Sequence, residues 1–174
     1  MLPRLLVVLV CLATVLSGCG DDAPAPDRAD RTFLQEMIPH HERAIETAKL
    51  GVTQATDPRV HAFAERIVRE QTPELDAMRH TSAGLHLDFG AGTHRAQHRI
   101  SDGQLAGLRR LRGVAFDRQF LRLHIYSEQG AASMARVEID GGADTGTLKL
   151  ARNMATAPTT QIPELHALLL VLGG

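Results

Sequence analysis

Two short strings occur twice in this chain, in the same order, and that duplication limits the fold more than any other feature. Asp30-Arg31-Thr32-Phe33-Leu34 matches Asp117-Arg118-Gln119-Phe120-Leu121, and Gln71-Thr72-Pro73-Glu74-Leu75 matches Gln161-Ile162-Pro163-Glu164-Leu165. Ala77 and Ala167 extend the second match, and the interval between the strings is three residues longer in the second copy. Two matches in one order point to a duplicated unit rather than to chance, and the unit reads as a pair of helices.

Within the first copy Phe33, Met37, His40/His41, Ala44 and Ala48 recur at steps of three and four. That is the spacing of one helix face, and it predicts a helix entered at Asp30 and ending near Gly51. Pro39 lies inside it. A mid-helix proline removes a backbone hydrogen bond at a cost of ~3 kcal/mol, so a kink is expected just before the His pair. Asp57-Pro58 supplies an N-cap and a first-position proline for a second helix running to about Ala83. Its inward stripe is Val60, Phe63/Ala64, Ile67, Gln71, Glu74/Leu75 and Met78, and Pro73 is expected to bend it.

Residues 84–100 are rich in Gly and His and read as a linker. Ser101 then caps a short helix to about Arg112, with Leu105, Leu108 and Leu111 inward. The second copy predicts a helix from Phe116 or Asp117 to about Asp140, a Gly141-Gly142 loop, and a last segment from Asp144 to Leu172. That segment is expected to break around Pro158, where the extra residues fall. No stretch alternates in the manner of a strand, so the expected class is all-α, an up-down four-helix bundle. The repeats span 30–83 and 116–172, with the linker and a short extra helix between them at 84–115.

The amino-terminal end carries a different signal. One Arg at position 4 precedes an unbroken small and apolar run from Leu5 to Leu16, followed by Leu16-Ser17-Gly18-Cys19. The run is too short for the ~30 Å hydrocarbon core and reads as a signal peptide. Leu-Ser-Gly-Cys resembles a bacterial lipobox, in which the Cys is acylated and becomes the first mature residue. Residues 1–18 are then removed, Cys19 carries lipid, and the acidic, Pro- and Ala-rich stretch 19–29 is a tether. Ordinary secretion after a small residue is the alternative; either way the domain at 30–172 lies outside the cytoplasm. Cys11 leaves with the signal, so no thiol remains for cysteine catalysis or a Cys-based zinc site.

Charge and aromatic content remove another class. With 19 Lys and Arg against 20 Asp and Glu the net charge is −1, and the aromatic residues are five Phe and one Tyr with no Trp. Neither a basic field nor a base-stacking surface is available, so nucleic acid is not an expected partner.

The string most suggestive of chemistry is Met37-Ile38-Pro39-His40-His41. On a helix Met37 lies three and four positions from the two His, so a thioether and at least one imidazole share a face. Adjacent His side chains diverge by about 100°, so both serve one ion only with help from the kink or from a second helix. Met78 is on the inward stripe of the antiparallel second helix. Thioether plus imidazole is a soft donor set that suits copper, Cu(I) above all.

With Asp30-x-x-Phe33-Leu34-x-x-Met37-Ile38-Pro39-His40-His41-x-x-Ala44-Ile45 and Gln71-x-x-Glu74-Leu75-x-x-Met78, residues 30–170 resemble the "domain of unknown function 305" family, strongly in copy one and weakly in copy two. The resemblance implies a ferritin-like helical bundle, commonly exported, with copper binding among some members. It implies metal ligands at Met37, His40, His41 and Met78, while Gln71 and Glu74 orient a ligand or satisfy the kinked backbone. Family members usually carry Met-x-x-His-His in the second copy also; here Met37, His40 and His41 correspond to His124, Ser127 and Glu128, and Met78 to Leu168. Thr47 stands where Met is common, with Met134 at the equivalent place in copy two. One site in copy one, supplemented by His124 or Met134 across the bundle, is what the resemblance supports.

Blander readings stand beside these. Met37 and Met78 also suit gaps between helices, and His40-His41 could be a boundary pair bonded to backbone. His94-x-x-x-His98 has i,i+4 ligand spacing but sits in the Gly-rich linker, and reads as a solvated pair. His61, His80, His86 and His166 are single and read as structural or exposed. Enzyme patterns fail: His41-Glu42-Arg43-Ala44-Ile45 lacks the second His of a zinc protease, no Glu has His three residues later, and there is no nucleophile elbow or phosphate loop. The leading expectation is a lipid-anchored extracytoplasmic copper-binding protein for sequestration or hand-over, without turnover. The alternative is a metal-free structural or protein-interaction bundle. Expected partners are the membrane through the lipid, a protein that gives or takes the metal, and a second copy of the chain.

Overall fold

The computed structural model describes residues 25–87 and 99–173. The signal peptide, Cys19 and the His94/His98 pair lie outside the described residues. Six helices follow in order: α1 Arg28–Gln54, α2 Pro58–Gly84, α3 Asp102–Arg110, α4 Gly113–Gly141, α5 Thr145–Met154 and α6 Ala157–Val171. No described residue is in a strand.

Capping chemistry explains where the helices begin. Helix α1 starts ahead of Asp30 because Asp27 is its N-cap, accepting from Ala29 N at 2.7 Å and Asp30 N at 3.1 Å. Asp30 returns the bond by accepting from Asp27 N at 2.8 Å, which completes a capping box. Asp57 caps α2 through Arg59 N at 2.8 Å, with Pro58 in the first turn. Ser101 and Gln104 form a second capping box on α3. Helix α4 also begins ahead of Asp117, at Gly113, whose φ of +59° lies in the region glycine adopts without steric cost. Both α1 and α2 run unbroken through their internal prolines, Pro39 and Pro73. The fourth arm does break, at Ala155–Thr156, and Pro158 is accommodated in the first turn of α6.

Helix α1 packs on α2 and α4; α4 packs on α5 and α6; α2 closes the circle on α5. Hydrogen bonds at both ends show that α1 and α4 are antiparallel. At one end Asp30, near the start of α1, accepts from Ala143 N and Asp144 N at 3.1–3.2 Å, just beyond the end of α4. At the other end Asp117, near the start of α4, accepts from Thr56 N (3.0 Å), Thr56 Oγ1 (2.6 Å) and Asp57 N (2.9 Å), just beyond the end of α1. The result is an all-α, ferritin-like four-helix bundle made of two hairpins, with the fourth arm divided into α5 and α6; because α4 runs antiparallel to α1, the arms follow up-down-down-up rather than the expected simple alternation, and the connection that carries the short extra helix α3 crosses the length of the bundle. Ion pairs from Arg43 to Asp102 and from Arg109 to Glu46 at 2.7 Å hold α3 on α1.

The core has two parts. One is built on Phe63, Phe116 and Phe120 with Ile67, Leu108 and Leu165; the other on Phe33, Leu34, Leu75 and the methionines. Gly51 lets the chain pass close to its neighbours in the first part: a Cβ there would sit 2.6 Å from both Ala64 Cβ and the Phe120 ring.

Candidate metal centre

Helix α1 places Met37, His40 and His41 on its buried side, as the spacing predicts. Met37 is wholly buried and both imidazoles are 2% exposed. Their ring centroids are 6.0 Å apart, tilted by 54°. Each ring is oriented by a hydrogen bond through its Nε2. His40 Nε2 donates to the Ser127 carbonyl oxygen at 3.1 Å, with Ser127 Oγ at 3.3 Å. His41 Nε2 donates to Glu74 Oε2 at 3.2 Å. These bonds assign the proton of each neutral ring to Nε2 and leave Nδ1 as the lone-pair nitrogen. In His41 that Nδ1 is buried and has no hydrogen-bond partner. A carboxylate behind one imidazole nitrogen with a bare lone pair on the other is the arrangement that orients a metal-ligating histidine.

Sulfur gathers in the same half of the bundle. Met37, Met78, Met134 and Met154 all belong to one buried cluster with Phe33, Leu34, Ile45 and Leu75. These are all the methionines after Met1. Among the described residues no three His, Cys, Asp or Glu side chains group to hold a metal ion; the four methionines share one apolar cluster.

Next to His41 lies a cavity of about 20 Å³, the size of one water or ion, bordered also by Met154 and by Glu70, Gln71, Glu74, Glu128 and Gln161. Gln71 Nε2 donates to Glu128 Oε1 at 3.1 Å, and Gln161 Nε2 donates to Glu70 Oε2 at 3.2 Å. The amide oxygens of both glutamines are buried without partners. Burial and the charges of Glu74 and Glu70 push the Glu128 carboxyl up to about 7, against the opposing hydrogen bond from Gln71. So Gln71 pairs across the bundle with a carboxyl, and Glu74 supports His41.

The two supplementary positions of the second copy separate. Met134 joins Met37 and Met78. His124 instead lies among phenylalanines, 4.4 Å from the Phe120 ring centroid and 6.0 Å from that of Phe63. Both its nitrogens lack hydrogen-bond partners, and burial pushes its pKa down to about 3. His61 is partly exposed, 3.7 Å from Glu65, and His80, His86 and His166 are exposed. Met154 was not singled out by the sequence reading. Its signal is the run Thr147, Ala151, Met154 at steps of four and three, which are the buried residues of α5.

A buried acid pair outside this region also escaped the sequence reading. Glu138 is fully buried at the end of α4. Its oxygens lie outside ordinary hydrogen-bond geometry, yet the carboxyl is close enough to Asp30 for the two to interact. Burial, the nearby Asp30 carboxylate and the charges of Asp27 and Asp144 push Glu138 up to about 8. Asp30 moves the other way: burial opposes its charge, but the Glu138 carboxyl and the N–H groups of Asp27, Asp144 and Ala143 hold it below the usual carboxylate value.

Comparison with known proteins agrees with this fold. A DUF305 fragment from Deinococcus radiodurans is 26% identical with a TM-score of 0.76, covering 86% of this chain and 99% of its own. A protein described as a secreted DUF305 protein from Streptomyces coelicolor is 21% identical with a TM-score of 0.78, over 84% of this chain and 93% of its own. CopM in its Cu(I)-bound form is 24% identical with a TM-score of 0.73, over 83% and 98%. No curated protein matches the chain. The profile of the domain of unknown function DUF305 matches residues 30–169, so the chain belongs to the DUF305 family.

Proposed function

We propose that this protein binds copper as Cu(I) on the extracytoplasmic side of the membrane, held there by lipid on Cys19, and that it stores or hands over the ion. Met37, His40 and His41 are the ligands, with Met78 facing them. The observation that carries this reading is His41: a buried Nδ1 lone pair with no partner, its ring fixed by Glu74, on the same helix face as Met37 and its sulfur cluster. Thioether and neutral imidazole donors in a buried site favour a soft monovalent ion. The structural likeness to CopM, captured with Cu(I), Cu(II) and Ag, supports the choice of metal. The description of the Streptomyces relative as secreted supports the location. The donor set supplies ligation only, so the role is binding rather than turnover, with a metal-donating or metal-accepting protein as partner.

The test is titration of the chain from Gly20 onward with Cu(I), without oxygen and under reducing conditions, against a colorimetric competitor. Stoichiometric binding that is lost in the double variant His40→Ala, His41→Ala is the expected result. Absence of binding, or binding indifferent to that change, removes the copper reading and leaves a metal-free scaffold. Affinity should weaken on acidification, because a protonated imidazole cannot coordinate.

A further inference from the structure

The geometry points to Met134 as the port of the bundle, the residue that takes a soft monovalent cation from a solvent-open pocket and passes it inward to Met37. This rests on the copper reading above and adds the path by which the ion arrives.

Between the start of α1 and the end of α4 lies a pocket of about 250 Å³, walled by Thr32, Phe33 and Glu36 on one side and Met134, Val137 and Glu138 on the other. Val137 is 62% exposed, which places it at the mouth. Phe33 and Met134 belong both to this wall and to the methionine cluster, so they form the partition between solvent and sulfur. Met37 and Met78 have no exposed surface at all, whereas Met134 retains 8%. An ion cannot meet Met37 first. Of the four clustered thioethers, Met134 is the one that borders this pocket.

The chemistry suits a transfer step. A thioether is polarizable, uncharged and carried on three rotatable bonds, so it can reach into the pocket and turn back to the cluster. Met134 displaces one ligand of the arriving Cu(I), and Met37 then displaces another; sulfur lone pairs exchange and no electron changes owner. A second cavity borders the cluster at Met154. At about 20 Å³ it has room for a single water-sized body, not for an ion still carrying a donor ligand.

The test follows Cu(I) transfer from its bicinchoninate complex to the mature chain by anaerobic stopped flow, alongside the equilibrium titration. Met134→Leu keeps volume and removes sulfur; it should slow loading by about tenfold or more while final stoichiometry stays unchanged. Val137→Glu puts a negative charge at the mouth without touching sulfur; because the bicinchoninate donor complex is itself anionic, it should slow loading at low salt with recovery at high salt. Val171→Glu, at a 66% exposed position away from the pocket wall, should load at the wild-type rate. Unchanged rates in Met134→Leu and Val137→Glu, or equal slowing in Val171→Glu, overturn the port while wild-type binding leaves the copper reading intact. Equal losses of rate and affinity in Met134→Leu also overturn it, by making Met134 a resident ligand. A wild-type chain that takes up no Cu(I) removes both.

Discussion

Asp30 and Asp117 each close the interhelical turn that belongs to the other's hairpin. Asp117 receives Thr56 and Asp57 from the α1–α2 turn, and Asp30 receives Ala143 and Asp144 from the α4–α5 turn. The two residues hold equivalent places in the duplicated strings, and each is at most 1% exposed. Asp117→Ala leaves three donors of Thr56 and Asp57 without their acceptor and should cost about 2–4 kcal/mol in urea unfolding. Asp117→Asn keeps one acceptor oxygen and should cost less.

Glu138 makes stability fall as the solution turns alkaline. Below pH 4.5 it carries its proton in both folded and unfolded chains; above that the unfolded chain releases it while the folded one holds it to about 8. Stability is therefore lost progressively as pH rises through that window. Glu138→Gln should flatten the decline, by roughly 2–4 kcal/mol across the interval in urea midpoints compared at pH 5 and 8.5. An unaltered slope would show that Glu138 ionises normally in the fold.

His124 acts on the acid side. The unfolded chain takes up its proton near 6.5, whereas the folded chain refuses it until about 3, so folding loses ground as pH falls between those values. His124→Leu should flatten acid unfolding and, by removing two buried nitrogens without partners, raise stability at neutral pH by about 1 kcal/mol. Copper stoichiometry should not change; a lost equivalent would make His124 a ligand despite its phenylalanine surroundings.

Glu74 orients His41 from behind the proposed ligand nitrogen. Glu74→Ala should lower Cu(I) affinity about 10- to 100-fold without lowering the number of ions bound. Wild-type affinity in that variant would mean that the His41–Glu74 bond serves only folding.

Gly51 is required by distance rather than by dihedral angle. Ala at this position gains helix propensity of about 1 kcal/mol but drives a methyl into Ala64 and Phe120, an overpacking cost of about 1–3 kcal/mol. The net expectation is a lower thermal midpoint, with Phe120→Leu partly restoring it by making room.

The bundle was legible because its helices are long and their apolar positions recur at three and four. Phe33, Met37, Ala44 and Ala48, or Val60, Phe63 and Ile67, leave little choice of face. Helix starts were displaced where the repeated strings drew attention to Asp30 and Asp117, since those aspartates serve turns while Asp27 and Gly113 begin the helices. The Met37/His40/His41 string was visible because its members are neighbours in the chain. Met154 was hidden because it joins the cluster through α5, whose separation from α6 is a tertiary fact. The altered acidities of Glu128 and Glu138 were likewise invisible, because they arise from burial beside other carboxylates that are distant in sequence.

The division of the fourth arm gives the two ends of the molecule unequal authority over its chemistry. Ten residues make too short a helix to persist unaided in water, so α5 keeps its shape only through what grips it. Asp30 holds the backbone of Asp144, the N-cap residue just before α5, and the sulfur cluster takes in its last residue, Met154. Anything that loosens the carboxylate at one extremity of the bundle therefore also loosens Met154 at the far end of α5, which makes the fidelity of a thioether's placement a debt to an acid on a different helix.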